Sequence, residues 1–489
     1  MSMPPFSGKV SRRQVLKIGG TAVAAAAGAT ILPRWAGKSL QGIPLAKAIG
    51  PTSPAPTIYK HLIGSDGWIS IPMGTVKNDL GAVLAPDPIA PGGRTTYVFG
   101  FRNVTALDDN DPSLPFAPGS TTNRVTPSTA SNPKVLAQKG HVQHSAPLLF
   151  FDEGDAIQIT LSNLGLATRP DLTDPHTIHW HGFRNALPLF DGVPEMSISV
   201  PPGSDFPYYY HPTDPGTYMY HCHNEDVEHV QMGMDGIVFV RPAQNKTGNG
   251  AGAPVARYNG GGAGAPLGYA YNDGVALSDA RSTAYDREFA IFLNEMWAQS
   301  HYDDAHIQVS DWSDFHADFY LMNGRSYPDT IAPNGGGTNL TTGALIAPTG
   351  RPELESQPLS SLIQCNAGDR VLLRFVNLGY TQPAMKLTGI EMHVVGKDAT
   401  PLRGLGAGGV RNGADTGYHT DTIYLGAGEA YDALFTAPPK TGSGYDTYLL
   451  FSNAFGTLNM PGGTGLGGQM TEVRVYAAGT LPPQTAPNT

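Results

Sequence analysis

The chain has 489 residues, enough for two to four domains, and a formal net charge of −10. This negative charge argues against nucleic acid or an anionic membrane surface as a partner, and it is compatible with cationic substrates. Charged residues make up only 15% of the chain, whereas Gly (60) and Pro (42) are abundant. Such a composition is typical of a turn-rich, all-β protein.

Residues 1–55 are predicted to form a twin-arginine signal and an N-terminal tail. The segment Ser11–Lys17 (SRRQVLK) resembles that signal, an apolar run follows from Ile18 to Leu32, and residues 46–48 (AKA) offer a small-residue cleavage site. An uncleaved anchoring helix is the alternative, although the run is short for a bilayer span. The remaining sequence has no segment long and apolar enough to cross a membrane, so we expect a periplasmic or secreted bacterial protein.

Residues 56–243 are predicted to form a first domain of many short strands. β-Branched and aromatic residues between turn signals mark the strands. They are expected at Arg94–Phe101, Ala156–Leu161, around His176, and at Ser197–Val200, Tyr208–Tyr210, Gly216–Tyr220 and Gly236–Val240. This pattern is typical of a Greek-key sandwich.

Metal-ligating residue types are concentrated in the middle of this domain. The stretch opens with HTIHWHG from His176, continues with YHCH at 220–223, and ends with His229 and Met234. A mononuclear blue-copper site takes a thiolate, two imidazoles and a weak axial thioether. Cys222, His176, His229 and Met234 supply that set.

Strand periodicity separates the remaining histidines from this set. Alternate side chains of a strand point to opposite faces, so His221 and His223 face away from Cys222, and His179 shares a face with His181. Two strands therefore present two metal sites back to back, joined through the Cys222 peptide. Zinc is the alternative metal, but the number and softness of the ligands favour copper.

Residues 244–284 are predicted to be a Gly- and Ala-rich linker that crosses the surface, residues 285–478 a second domain, and residues 479–489 a tail. The second domain looks like an internal repeat, because 154–165 matches 368–379 and 217–223 aligns with 447–453. Where the first copy has His-Cys-His, the second has Phe-Ser-Asn. The second domain is therefore expected to lack copper ligands.

The two histidine motifs resemble those of the multicopper oxidases, a cupredoxin-type family that includes the laccases. The family motifs are His-x-x-His-x-His-Gly and a His-Cys-His segment followed by a histidine and a methionine, in the order found here. The resemblance implies an all-β chain of two cupredoxin-like Greek-key β-sandwich domains in tandem. It implies copper as the cofactor: type 1 copper on His176, Cys222, His229 and Met234, and half of a type 2/type 3 cluster on His179, His181, His221 and His223.

The resemblance also implies an activity. A small phenolic, organic or metal-ion donor would lose single electrons at the type 1 copper, and dioxygen would be reduced at the cluster. The gap between Cys222 and His229 is longer than the family's common form, which predicts a reshaped loop.

The missing half of the cluster leaves several alternatives open. Another polypeptide supplies the other histidines, or two first domains meet in a homo-oligomer, or the second site is different and smaller. Two functions other than an oxidase also stay open. The protein is an electron-transfer cupredoxin without oxygen chemistry, or it is an enzyme similar to copper nitrite reductase, in which a partner domain donates a histidine.

Several other residues are assigned from their context. Asp191, in FDGVPE, resembles the acidic residue that orients water or supplies protons in the family, and is our catalytic candidate. A turn-forming Asp before Gly is the alternative. Glu225, Asp226 and Glu228 precede His229, where they attract a cationic donor or are simply solvated. The motif-free histidines and the second cysteine are expected to be structural: His61, His141, His144, His211 and Cys365.

Overall fold

The computed structural model describes residues 58–109, 133–247, 267–276, 279–406, 411–454 and 456–489. The predicted signal segment lies outside these residues. Among the described residues, no helix is long and apolar enough to cross a membrane. The described residues belong to one compact unit.

The first half contains two four-stranded sheets that enclose an aromatic-rich core. In spatial order, the first sheet is Thr96–Asn103, Ile58–Ile69, Ile157–Asn163 and Asp205–Tyr210, and the second is Leu149–Asp152, Asp235–Arg241, Gly216–His221 and His179–His181. The strands of the second sheet carry or adjoin five of the eight predicted metal ligands, which are His179, His181, His221, Cys222 and Met234.

The second half repeats this arrangement with larger sheets. One sheet is Phe319–Met322, Arg287–Met296, Arg370–Asn377, Ala430–Thr436, Met392–Lys397 and Thr400–Pro401, with Tyr418–Thr420 also paired to Met392–Lys397. The other is Ile363–Asn366, Met470–Tyr476, Asp446–Ser452, Ala384–Leu387 and Thr422–Tyr424. The prediction of β-sandwiches in tandem is confirmed.

Short elements connect the sheets. Three two-stranded ribbons pair Val76–Lys77 with Val83–Ala85, Gly268–Tyr269 with Ala284–Tyr285, and Gly337–Thr338 with Leu345–Ile346. Among the described residues, the α-helices are Thr105–Asp109, Pro133–Leu136, Asp226–Met232, Gln244–Thr247 and Ala298–Ala305, and the 3₁₀ helices are Pro188–Phe190, Trp312–Asp314, Asp329–Ile331 and Pro352–Leu354.

Equivalent strands pair in the same way in both halves. In the first half, His179 lies opposite His221 in the antiparallel pair. In the second half, Lys386 lies opposite Phe451 in the corresponding pair. The second half therefore keeps the strand pair that carries histidines in the first half and places a lysine and a phenylalanine there instead.

Two parts of the chain differ from the sequence prediction. Val200 forms only an isolated bridge to His176, so Ser197–Val200 is not a strand and the strand at the first motif begins at His179.

The end of the predicted linker is not a simple surface crossing. Tyr271 has only 1% of its surface exposed and packs in a core with Leu434. Burial of its apolar ring is favourable here because its hydroxyl group donates a hydrogen bond to Asp432.

Buried charges cross between the halves. The guanidinium of Arg374 lies 3.3 Å from Glu288 and 3.2 Å from both Asp432 and Thr217, and Arg241 also pairs with Glu288. These charged groups are fully buried, and their mutual pairing offsets the cost of removing them from water. Apolar contacts surround them, including Met219, Ile237 and Phe239 of the first half packed on Phe292 and Val376 of the second.

Candidate metal centres

The first candidate centre is assembled from four different elements. His176 lies in the bridge to Val200, and Cys222 directly follows the strand Gly216–His221. His229 lies in the helix Asp226–Met232, which occupies the long gap after Cys222. Met234 directly precedes the strand Asp235–Arg241.

The ligand atoms of this centre converge in a buried space. Cys222 Sγ lies 3.3 Å from Nδ1 of His229 and 4.0 Å from Nδ1 of His176. Met234 lies on the same side of Gly64 as His176, because a Cβ added at Gly64 would meet both Cδ2 of His176 at 2.9 Å and Cε of Met234 at 3.3 Å. Glycine at position 64 thus lets both side chains approach the backbone.

The protonation states of this group suit a soft metal ion. Burial lowers the pKa of His176 well below its usual range and that of His229 to about 4, so both rings are neutral at neutral pH. Burial raises the pKa of the Cys222 thiol to about 11, and the Thr177 N–H, which donates to Sγ at 3.4 Å, counteracts this by favouring a thiolate. Neutral imidazoles, a buried sulfur and a thioether fit copper.

The second candidate centre lies behind the first, on the other face of the same strands. His179, His181 and His221 bring ring nitrogens within 4.8 Å of one another. The His223 ring centroid lies 5.0 Å from that of His179 and 5.5 Å from that of His221. All four predicted histidines therefore meet, on the face opposite Cys222, as strand alternation requires.

Hydrogen bonds to backbone carbonyls fix the tautomers of two of these rings. Nδ1 of His179 donates to the carbonyl oxygen of Asp191 at 2.6 Å, and Nδ1 of His221 donates to that of Cys222 at 2.8 Å. In each ring the lone pair is left on Nε2. Burial lowers the pKa of both rings, to about 3 for His221, so they are neutral and able to bind a metal ion.

Asp191 contacts this centre mainly through its backbone. Its carboxylate Oδ1 is 3.6 Å from Nδ1 of His179, farther away than its own carbonyl oxygen. The following Gly192 has φ +81, and a Cβ there would clash with the carbonyl of Ile178. The turn that holds Asp191 beside His179 therefore requires glycine at position 192.

The second half of the chain borders the histidine group without adding a histidine. A Cβ at Gly428 would lie 3.3 Å from Nε2 of His181, and Asp398 raises the pKa of that ring against the larger lowering effect of burial. Within the described ranges, no histidine from the second half joins this group. The part-exposed rings of His179, His181 and His223 leave one side of the group open.

Carboxylates surround the outer edge of the first centre. Nε2 of His229 is buried, has no hydrogen-bond partner within the described part of the chain, and lies 4.0 Å from Oδ2 of Asp174. Asp174, Glu225 and His229 bring ligand atoms within 4.8 Å of one another. Glu228 lies nearby, and burial together with Glu228 raises the pKa of Asp304 to about 8.

The sequence around His229 indicates Glu225 and Glu228 as neighbours of this centre, whereas Asp174 and Asp304 were not predicted there. Asp174 stands two residues before the first motif, a proximity that was available as a signal. Asp304 belongs to a helix far away in sequence, and only folding brings it to this edge.

The residues expected to be structural are placed as follows. His61 is buried, with Nδ1 2.5 Å from Asp108 and Nε2 2.7 Å from Ser162, and the exposed His211 binds the carbonyl of Asp155. His144 is buried without a hydrogen bond to either ring nitrogen among the described residues. Cys365 is a buried free thiol in the core of the second half, and Cys222 is also free.

Comparisons with known proteins identify the family. Family models described as multicopper oxidase match residues 121–245 and 287–469. Laccase 1 of Metarhizium acridum is 33% identical over 108 residues, which are 22% of this chain and 16% of that protein. Laccase-3 of Botryotinia fuckeliana is 24% identical over 319 residues, 65% of this chain and 53% of its own length. The matched region thus spans about half or less of these relatives.

Solved structures agree on the fold. The blue copper oxidase from Nitrosomonas europaea has a TM-score of 0.50 and 19% identity, with 85% of each chain covered. The multicopper oxidase mgLAC has the same TM-score and identity, with 87% of this chain and 88% of that one covered. At this identity the likeness shows the tandem cupredoxin-like fold alone. Together with the two family matches, it shows that this chain belongs to the multicopper oxidase family.

Proposed function

We propose that the protein is an exported oxidase that takes single electrons from a small donor at the His229 edge and passes them to dioxygen at the four-histidine group. The observation that carries the proposal is the back-to-back placement of the two groups. Cys222 directs its sulfur into one group, and its carbonyl oxygen orients His221 of the other.

The proposed metal is copper in both groups. His176, Cys222, His229 and Met234 would hold one ion, and the histidines of the second group would hold the others. Copper bound there supplies the one-electron chemistry at the first group and the dioxygen chemistry at the second. The chain buries the ligands of the first group and fixes the tautomers of His179 and His221 in the second. It also connects the two groups covalently through Cys222.

The donor site is proposed to lie at the carboxylate-lined edge of His229. Asp174 and Glu225 stand beside the Nε2 edge of this ring, so a cationic donor, such as a metal ion or a protonated amine, is attracted there. An anionic donor is repelled. A phenol remains compatible with this edge, since a carboxylate accepts a hydrogen bond or a proton from a hydroxyl group.

Protons for oxygen reduction are proposed to come from the side of the histidine group where the Asp191 carboxylate stands. This side chain is one-third exposed, so solvent reaches it, and it lies 3.6 Å from a ring of the group. The backbone carbonyl of Asp191 accepts the hydrogen bond from His179 independently of its carboxylate. The two parts of Asp191 thus have separate roles, positioning and proton supply.

The remaining cluster ligands are proposed to come from a second polypeptide, either another copy of this chain or a partner subunit. The open side of the histidine group and the absence of further histidines near it in the described residues support this assignment. The same observation favours the second candidate function, an electron-transfer cupredoxin that performs no oxygen chemistry.

Copper per chain, the visible spectrum and oxygen uptake, measured on protein of known oligomeric state, test the proposal. More than one copper per chain, a strong blue band and donor-dependent oxygen uptake are expected. One copper per chain with a blue band and no oxygen uptake would instead establish the electron-transfer cupredoxin. Export is tested separately by locating the protein with and without Arg12→Lys and Arg13→Lys in the signal.

A further inference from the structure

A pair of stacked histidines lies in the second half of the chain, in a sheet that carries none of the residues discussed above as copper ligands. His393, on the strand Met392–Lys397, is directly opposite His419, on the strand Tyr418–Thr420. Their rings are parallel within 5°, with centroids 4.5 Å apart. We propose that His393 and His419, together with Asp415 and Glu391, bind a divalent transition-metal ion such as Zn²⁺.

Each histidine faces a carboxylate at a distance that suits shared coordination. Nε2 of His393 lies 3.3 Å from Oδ2 of Asp415, and Nδ1 of His419 lies 3.4 Å from Oε2 of Glu391. Two ligand atoms on one tetrahedral Zn²⁺, with bonds of about 2.0–2.1 Å, stand roughly 3.3 Å apart. An N–H···O hydrogen bond is shorter, typically about 2.7–3.2 Å. The separations are those of ion pairs and equally those of two ligands on one ion, while the ligand atoms of the two pairs do not yet lie within 4.8 Å of one another.

The four side chains can converge on one ion because half of them are free to move. The side chains of His419 and Glu391 are 60% and 68% exposed, so they can change rotamer readily. His393 and Asp415 are more enclosed, at 16% and 24% exposure, and the other carboxylate oxygen of Asp415 accepts from the Gly417 N–H at 2.8 Å. The more enclosed pair provides a fixed base onto which the mobile pair closes.

The backbone makes room for this base. A Cβ at Gly417 would stand only 2.6 Å from Nε2 of His393. Any larger residue at position 417 would therefore displace the imidazole nitrogen from its place beside Asp415. Burial lowers the pKa of His393, which keeps this ring neutral and its lone pair available at neutral pH.

The surrounding charges allow a cation to bind. The four side chains line a cavity of about 750 Å³ that also contains Arg281 and Arg370. Arg281 is paired with Asp279 at 2.7 Å, and Arg370 donates to the carbonyl of Ser282 at 2.7 Å. Arg281 is thus neutralised by a carboxylate, whereas the charge of Arg370 still acts on His393. The two carboxylates of the site offset this charge and that of a divalent ion. Imidazole and carboxylate together suit Zn²⁺ or Cu²⁺ better than Mg²⁺ or Ca²⁺.

Binding would cross-link two parts of the second half. Glu391 and His393 belong to one strand and its preceding turn, whereas Asp415 and His419 come from the connection that returns after Thr400–Pro401. An ion held by both parts fastens this connection to the sheet, and its binding free energy adds to the stability of the folded state.

Zinc titration of the copper-loaded, full-length protein tests the proposal, followed by calorimetry and by metal analysis after dialysis. One Zn²⁺ per chain beyond the copper is expected. His393→Ala or His419→Ala should weaken binding on the order of tenfold or more, because even residues that only support metal ligands are worth about 10- to 100-fold in metal affinity. His316→Ala is the matched control, since His316 is exposed and lies 3.7 Å from a single carboxylate, Asp318.

Unchanged zinc binding in the double variant His393→Ala, His419→Ala, or no zinc binding by the unaltered protein, would overturn the proposal. Glu391→Gln, a substitution at an exposed position, gives a second measure if a histidine variant misfolds, and it too should weaken zinc binding. The blue absorption of every variant should equal that of the unaltered protein. Because Cu²⁺ also binds imidazole, the copper count of the double variant distinguishes this site from the proposed oxidase centres.

Discussion

Nδ1 of His221 donates to the carbonyl oxygen of Cys222 at 2.8 Å, so the two residues are linked both by a peptide bond and by a hydrogen bond. The bond orients Nε2 of His221 away from the cysteine, while the sulfur of Cys222 lies on the opposite face among different side chains. Adjacent residues therefore serve two centres, and the distance between these centres is set by the covalent geometry of one residue.

Replacing the cysteine should remove the first centre alone. Cys222→Ser deletes the soft thiolate, so the intense blue absorption and donor oxidation should both vanish, while copper bound by the histidine group should remain. The measurement is the visible spectrum together with copper per chain and oxygen uptake. Cys365→Ser is the control and should leave all three unchanged, since this buried thiol lies in the other half. Retained blue colour in Cys222→Ser would contradict the ligand assignment.

Gly192→Ala should damage the histidine centre and spare the cysteine centre. The added methyl group would collide with the Ile178 carbonyl at a residue with φ +81, and the displaced turn would withdraw the Asp191 carbonyl from His179. We expect copper per chain and oxygen uptake to fall while the blue band persists. Gly154→Ala is the control for a positive-φ glycine, because it has the similar φ of +82 but open space around it.

The carboxylate edge should select donors by charge. Asp174→Asn with Glu225→Gln should raise KM for a cationic donor such as hexaammineruthenium(II) by about tenfold or more, since each pair of unit charges at about 4 Å is worth ~1 kcal/mol in water and two negative charges are removed. The KM for ferrocyanide, an anion, should fall. Steady-state kinetics at low ionic strength measure both, and the distant carboxylate variant Asp214→Asn should change neither. Equal effects on the two donors would contradict an electrostatic role.

The stability of the metal-free protein should fall below about pH 6.5. Burial lowers the pKa of His144 and His221 to about 3 and that of His229 and His301 to about 4. The folded pKa lies below the unfolded value in each case, so the unfolded chain takes up protons first as the pH decreases. Each histidine should therefore remove about 1.4 kcal/mol of unfolding free energy per pH unit between its two pKa values.

Urea unfolding of the metal-free protein between about pH 7 and pH 4.5 measures this slope. His144→Gln replaces one of the four histidines with a side chain that does not titrate, so its slope should be shallower by ~1.4 kcal/mol per pH unit. An identical slope in the variant would show that His144 does not stay neutral in the folded protein.

Removing one charge from the buried group of Arg241, Glu288, Arg374 and Asp432 should lower the free energy of unfolding of the protein. Arg374→Met leaves Asp432 without its cation and removes one of two cations from Glu288, and breaking a buried pair typically costs about 3–5 kcal/mol. Chemical denaturation measures the loss. Lys386→Met is the control, because its pair with Asp421 is exposed, and it should cause no measurable change. A small effect of Arg374→Met would mean that water reaches Asp432.

The sequence predicted those features that follow from local periodicity. Alternation along a strand placed Cys222 and His221 on opposite faces, and the repeated pattern at 154–165 and 368–379 corresponds to strands with equivalent pairing in the two halves. The helix Asp226–Met232 was not predicted, because its short sequence has no long apolar period and its ends depend on tertiary contacts. The contact of Gly428 with His181 joins residues far apart in the chain, and no local pattern reports it.

Sequence reasoning also assigned a role to the Asp191 carboxylate and could not foresee the part played by its carbonyl. Backbone groups are present at every position, so only the turn geometry at Gly192 reveals which carbonyl points at a histidine. Similarly, His393 and His419 stand apart in the sequence and belong to no metal-binding motif. Their pairing depends on the register of two strands separated by a long connection.

The buried cluster of Arg241, Glu288, Arg374 and Asp432 has a consequence for the descent of this chain. The two halves depend on each other, because each completes the charge balance of the other. If the two halves were expressed separately, each fragment would expose the apolar surface around Phe239 or Phe292 that the other half covers. Fragments with such exposed surfaces are expected to aggregate. Further duplication or exchange with related genes is therefore expected to move both domains together as one inherited unit.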